Sequence, residues 1–380
     1  MRDVKKIKLL VIAPSFDILG GQTVQADRLM SRLREEPNIE VGFLPINPRL
    51  PGPLRSLQKI KYLRTLVTSL AYYLSLLVTI RNYDIIHIFS ASYVSFVLSP
   101  TPAILIGKLF RKKLLLNYHS GEAEDHLQRW RRSAVPTIQM VDEVVVPSNY
   151  LVHVFSTFGL KCKPIFNLIE RDSFQFRERN PLRPLFLSNR NFEVHYGIDK
   201  VLKAFSIIQK RIPEASLLVV GDGSQRNALR QLAKDLDLRH LEFMGRVEHE
   251  RANEIYASAD VFLNASSIDN QPLSILEAFA CGLPVVTTGA GGIPYMVEAD
   301  KNALVVPVGD EEALAASALS LFRDRDLVDR LVSNGLSECR NYEWKTLRSQ
   351  WLNVYYGMLG LRETESDGEL IDSESCANPG

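Results

Sequence analysis

DNQPLSILEAFACGLPVV, Asp269–Val286, holds two carboxylates eight positions apart, with a proline after the first and an apolar run into the second. Asp269 and Asn270 are N-cap residue types, and Pro272 suits a first helical turn, where a missing N–H costs nothing. Ser274–Cys281 then reads as a helix that stops at Gly282, ahead of Pro284. PVVTTGA, which follows at once, reads as a buried strand. Glu277 sits inside the helix, and this window alone leaves open whether it faces solvent or is held inward.

The same unit of strand and helix recurs on both sides of this stretch. Strand candidates in the first half are IKLLVIAP, VGFLPI, DIIHIFS, KLLLNYHS, EVVVPS and KPIFNLI. Those in the second half are RPLFLSN, ASLLVVGDG, LEFMGRV, DVFLNAS, PVVTTGA and ALVVPVG, with helical segments at Val201–Lys210, Gln225–Leu236 and His249–Ala257. Such alternation argues for parallel sheets covered by helices on both faces, and it occurs twice. The charged, proline-containing RERNPLRP, Arg177–Pro184, is the expected boundary.

The 380 residues have room for two domains, with four cysteines in no paired spacing and hence neither a disulfide framework nor a zinc site. Reduced, cytoplasmic conditions fit that usage. The N-terminal apolar run meets Pro14 and reads as a strand rather than a signal peptide. The net charge of +1 conceals a split. Residues 1–180 hold 25 Lys and Arg against 15 Asp and Glu, whereas residues 181–380 hold 20 against 29. The first half therefore suits an anionic surface, with basic clusters at Arg55–Arg64, Arg111–Lys113 and Arg129–Arg132. Tyr62–Ile80 is apolar but interrupted by polar residues, so it is a poor spanning helix. It reads either as a buried helix of an α/β domain or as a helix lying on an anionic membrane surface. No pattern argues for nucleic acid.

In doubly wound sheets ligands sit at the carboxyl ends of the strands, and the loops expected there carry chemistry. Gly20-Gly21 joins the first strand to a helix, where backbone N–H groups can meet an anion. His119 ends a strand in NYHSGE, and AGGIP, Ala290–Pro294, is another glycine loop. GDGSQR, Gly221–Arg226, is half a dinucleotide fingerprint whose third glycine is replaced by Arg226, which weakens an NAD or NADP reading.

Taken in order, Gly20-Gly21, NYHSG, VVVPSNYL, FNLIE, GDGSQR, FMGRV, DNQPLSILEAFACGLPVV and AGGIPYMV resemble the family 4 glycosyltransferases, also called glycosyl transferases group 1. The resemblance covers most of residues 6–360 and implies the α/β GT-B fold, two doubly wound Rossmann-like domains facing a deep cleft. The implied acceptor-side domain is 1–180, completed by a C-terminal helix at 342–360; the nucleotide-sugar domain is 183–341, and 363–380 is a disordered acidic tail. The resemblance implies a retaining, metal-independent transferase that moves a sugar from a nucleotide-sugar donor to the hydroxyl of a glycan or lipid-linked glycan. It requires no cofactor. His119 and Asp269 would be at the reaction centre. Gly20, Gly21, Arg190, His195, Gly221, Arg246, Val247, Pro272, Leu273, Ser274 and Glu277 would bind the donor, Glu277 through ribose hydroxyls and Arg190 through the diphosphate.

Two positions depart from the family pattern: Asp269 replaces a Glu, and His195 or Tyr196 stands where a phosphate-binding Lys is usual. These departures motivate an alternative, a catalytically degenerate nucleotide-sugar-binding subunit; a Rossmann oxidoreductase is a third reading. DRD, Asp324–Asp326, reads as a solvated helical face rather than a metal site.

Overall fold

The computed structural model describes residues 6–17, 20–50, 52, 60–90, 92–247, 249–363 and 370–372. The chain divides into two compact units, one built from Met1–Leu168 with Trp344–Gly380 and the other from Ile169–Glu343.

The first unit is a parallel sheet of β1 (Ile7–Ala13), β2 (Ile39–Pro45), β3 (Ile85–Ser90), β4 (Lys113–Tyr118), β5 (Glu143–Val146) and β6 (Lys163–Pro164), in the order β2-β1-β3-β4-β5-β6. In β1 every residue except Lys8 is buried. A strand apolar on both faces can be satisfied only by helices above and below, which is the condition for a parallel sheet. The β6 ladder is shorter than KPIFNLI suggested. Pro164 supplies no N–H, and after the Ile165 N–H donates to the Val146 carbonyl at 2.9 Å the ladder ends: the N–H of Leu168 donates to Gln25 Oε1 at 2.6 Å and that of Ile169 to the Tyr342 carbonyl at 2.9 Å. The helix Trp344–Met358 belongs to this unit, and its Leu347, Trp351, Leu352 and Tyr355 pack in one apolar cluster with Leu9, Val11, Phe89 and Leu115. Burying such side chains contributes about 1.5–3 kcal/mol each.

The second unit repeats the plan with β7 (Leu185–Asn189), β8 (Ser216–Val220), β9 (Leu241–Gly245), β10 (Val261–Asn264), β11 (Val285–Thr288) and β12 (Leu304–Val306), ordered β12-β11-β10-β7-β8-β9. Its core gathers Phe186, Val219, Leu263 and Val286 from the sheet with Val201, Phe205 and Ile208 from the helix Ile198–Arg211.

The division falls between Leu168 and Ile169, ahead of the expected Arg177–Pro184 boundary. The physical reason is Asp260, fully buried and paired with Arg177 and Arg183 at 2.9 and 2.7 Å. Arg179 adds bonds to the carbonyls of Ala259, Cys281 and Tyr256. Charges that read as a linker are clamps inside the second unit. A second correction concerns the acidic tail. Leu370–Asp372 pairs antiparallel with Leu361–Glu363, because the tract contains the strand-forming Leu370 and Ile371. The rest of the tail, and Arg55 and Lys59 of the first basic cluster, lie outside the described residues.

Candidate active site

In each sheet the strand order reverses direction once, between β1 and β3 in the first and between β7 and β10 in the second. Loops leaving the carboxyl ends of those strands splay apart there and leave a crevice.

In the second unit four loops meet at that point. The loop after β7 carries Arg190. Its guanidinium is ion-paired with Asp269, donates to Ser274 Oγ at 3.2 Å, and lies 4.2 Å from the centre of the Tyr196 ring. Asp269 and Arg190 are each about nine-tenths removed from solvent, which strengthens their attraction. Asp269 also accepts from the Asn270 N–H at 2.9 Å. The expected helix spans Leu273–Ala280, with Pro272 at its cap and Cys281 and Gly282 at its end. Its first N–H groups lack partners one turn back, so Leu273 and Ser274 present a positive helix end beside Arg190.

Glu277 is buried. That settles the alternative left open by the sequence in favour of an inward acid. Its partner is the hydroxyl of Tyr256, which also accepts from Asn189 Nδ2 at 3.0 Å. Burial first, then the charge of Glu277, raises the Tyr256 hydroxyl well above its ordinary range, so it stays protonated and can donate to the carboxylate.

The glycine loops hold this arrangement by permitting backbone contact. The Gly292 N–H donates to the Asp269 carbonyl at 3.0 Å, and a Cβ on Gly292 would collide with the carbonyl of Asn270. AGGIP is thus the floor under the Asp269 loop. Gly221, at φ 134°, has the same relation to the Arg190 carbonyl. Packing within the protein by itself therefore calls for glycine at this position. The Gly221 N–H donates to the Gly245 carbonyl at 2.9 Å, which places the loop of Arg246 and Val247 against the GDGSQR turn. Arg246 is exposed and Val247 half-buried. The His195 carbonyl accepts from the Ser267 N–H at 2.8 Å, so its backbone is fixed to the loop after β10.

In the first unit His119 follows β4, and its N–H donates to the Ser90 carbonyl at 3.1 Å. Burial pushes its imidazole down to about 3, and its Nε2 has no hydrogen-bond partner among the described residues. A small cavity beside it is lined by Gln25, Phe89, Asn117, Asn167 and Trp351. Gly20 and Gly21 start the helix Gly21–Arg34, which Gln22 ties to the Ser90 carbonyl at 2.6 Å. A Cβ on either glycine would meet nothing within 4 Å, so packing among the described residues does not require them.

The structure therefore brings Arg190, Asp269, Ser274, Gly221, His195 and Glu277 to one end of one sheet, and His119 with Gly20 and Gly21 to the corresponding end of the other. Sequence reasoning missed Tyr256 and Asn189. Tyr256 lies in the ordinary helix His249–Ser258, with no motif to mark it. Asp324, expected on a solvated face, caps the helix Arg325–Cys339 by accepting from the Leu327 N–H at 2.9 Å.

Residues 170–337 match the family Glycosyl transferases group 1. Among curated proteins the chain is 28% identical to a sulfoquinovosyl transferase of Arabidopsis thaliana over 50% of its own length and 38% of the relative's. It is 32% identical to a phosphatidyl-myo-inositol mannosyltransferase of Mycobacterium leprae, over 45% of each. The chain thus spans less than half the length of these two relatives. The solved structure of Anabaena HepE with UDP and glucose superposes with a TM-score of 0.74, covering 92% of this chain and 100% of that one. At 17% identity that likeness is one of fold. Residues 170–337 belong to the group 1 glycosyltransferases, on a chain with the GT-B fold.

Proposed function

We propose that this protein is a retaining, metal-independent glycosyltransferase that moves a sugar from a nucleotide-sugar donor to an acceptor hydroxyl of a glycan or lipid-linked glycan, working in the cytoplasm. The observation that carries the reading is the convergence of Arg190, Ser274 and the start of the helix Leu273–Ala280, with Glu277 buried behind them. A cation, a hydroxyl and free N–H groups at one point suit a diphosphate, whose charge grows as it leaves. Glu277 is the acceptor for ribose hydroxyls, and Arg246 and Val247 flank the base. The UDP and glucose in the HepE structure support a nucleotide sugar as donor. The phosphatidyl-myo-inositol named for the Mycobacterium leprae relative supports a lipid-borne acceptor.

In the reaction the bond from the anomeric carbon to the diphosphate oxygen breaks, and its electron pair stays on the diphosphate. The acceptor oxygen attacks the same face, and its proton passes to the departing diphosphate. Arg190 and the helix end stabilise that leaving group. His119, neutral at physiological pH, offers an uncharged ring for a sugar hydroxyl.

One observation favours a second reading, a nucleotide-sugar-binding subunit without turnover: Arg190 is already engaged by Asp269, and His195 and Tyr196 bring no lysine to help it. Incubation with UDP-, GDP- and ADP-sugars, followed by chromatography of the released nucleotide and NMR of the product anomer, separates the two. Release with retained configuration supports the transferase. Binding without release supports the subunit, and an inverted product removes retention.

A further inference from the structure

The helix Lys61–Thr79 turns an apolar face outward. Leu66, Leu70, Leu74 and Val78, four residues apart, are 68%, 58%, 56% and 72% exposed. A surface helix ordinarily places polar side chains there. Its other face is committed: Tyr72, Leu76 and Ile80 lie in the core of the first unit. The hydroxyls of Tyr72 and Tyr73 donate to the carbonyls of Ser99 and Leu98 at 3.2 and 3.4 Å. The helices Tyr93–Leu98 and Pro100–Leu109, on which it packs, also leave Val94, Leu105 and Leu109 exposed.

Charge accompanies this face. Neither 61–82 nor 93–113 contains an Asp or Glu. Bases collect where the two helical segments end: the Arg81 guanidinium lies 4.8 Å from the centre of the Phe110 ring, and Lys112 Nζ donates to the Arg81 carbonyl at 2.8 Å. Lys108 and Lys113 are partly offset by Asp142, at 3.8 and 3.6 Å; Arg81 and Arg111 stand exposed.

We propose that this face is a docking surface for an anionic phospholipid bilayer, with the helix Lys61–Thr79 lying in the interfacial plane. An apolar stripe rimmed by Arg and Lys, with no acid in either segment, complements acyl chains below and phosphate headgroups around them. A second copy would bring the same bases against these ones. By length and composition 63–82 could cross a membrane, but crossing would pull Tyr72, Leu76 and Ile80 out of the core they help to build.

Co-sedimentation of the full chain with phosphatidylcholine vesicles, with and without phosphatidylglycerol, tests the proposal. Anionic vesicles should retain the protein, and rising salt should release it. Leu70→Asp with Leu74→Asp, and separately Arg81→Glu with Arg111→Glu, should each cut the bound fraction at least about tenfold at unchanged melting temperature. If the aspartates prevent folding, Leu70→Ser with Leu74→Ser should show the same direction of loss. Equal recovery with both vesicle types, or variants that bind like the wild type, would overturn the proposal. So would retention through alkaline carbonate extraction, which marks a spanning helix, or a dimer in light scattering that Leu70→Asp with Leu74→Asp splits. The readout needs no nucleotide sugar, so its failure leaves the transferase reading standing.

Discussion

The carboxyl ends of the two sheets were built by the same rule and finished differently. In the second unit the site is filled with its own contacts: Arg190 meets Asp269, Glu277 meets Tyr256, and Gly292 closes against Asn270. At the corresponding end of the first unit the described residues leave one buried group unpaired and two glycines uncrowded. His119 Nε2 is buried without a described partner, and a Cβ on Gly20 or Gly21 would meet no atom of the described residues within 4 Å. A site that binds a fixed chemical handle can be preorganised by internal pairs. A buried nitrogen left unpaired keeps its hydrogen-bonding capacity for a group from outside.

If that contrast is right, variants in the first unit act on turnover and variants in the second act on donor binding. His119→Ala should lower kcat roughly a hundredfold or more while nucleoside diphosphate affinity, measured by calorimetry, changes little. A variant with near wild-type kcat would make His119 a packing residue.

Glu277→Gln should weaken donor binding by about 1.5–3 kcal/mol, because a charged acceptor becomes an amide. Tyr256→Phe narrows the assignment. It removes the internal partner of Glu277 but no donor contact, so affinity should fall less than in Glu277→Gln; equal losses would make Glu277 structural.

The glycines probe the difference in finish. Gly292→Ala drives a Cβ into the Asn270 carbonyl and should cost about 1–3 kcal/mol in urea unfolding. Gly21→Ala should leave stability within about 0.5 kcal/mol, since among the described residues nothing lies in its way. Matching losses would erase the distinction.

Acid should open the first unit before the second. Burial holds His87 and His119 down to about 3, and holds His126 down to about 4 against the opposing charge of Asp125; proximity of His119 adds to the effect on His87. The unfolded chain protonates these rings from about pH 6.5 downward while the folded one does not, so the stability they contribute is lost as pH falls from 6.5 toward 3. In the second unit Glu193 and Glu311, lowered by hydrogen bonds from Ser224 and Lys200, start to lose theirs only below their ordinary 4.5. Hydrogen exchange at pH 5 should show weakened protection in β3 and β4 but not in β7 or β10. The reverse order would contradict the burial of these histidines.

The fold was legible because its strands are short apolar runs bounded by Gly, Pro and polar residues, and each of the twelve expected runs overlaps a strand. The helix after Asp269 was legible through Pro272 and Gly282, which act locally. What escaped was set by partners distant in sequence. Arg177 and Arg183 look like linker charges until Asp260, about eighty residues on, is folded under them. Glu277 could not be called buried without Tyr256, and Arg190 and Asp269 gave no sign that they would pair. Tyr62–Ile80 read as a buried helix or as one lying on a membrane surface; the structure buries one face in the core and leaves the other exposed, a division that only the packing partners of Tyr72 and Leu76 could reveal.

Transfer from a nucleotide sugar requires that the loops around Arg190 receive a nucleoside diphosphate. Calorimetric titration of UDP, GDP and ADP into the wild type and Arg190→Ala decides it. At least one of the three should bind the wild type, and Arg190→Ala should weaken it about tenfold or more through loss of a charge-assisted phosphate contact. A wild type that binds none of them, or an Arg190→Ala variant that binds as tightly as the wild type, would contradict the transferase reading.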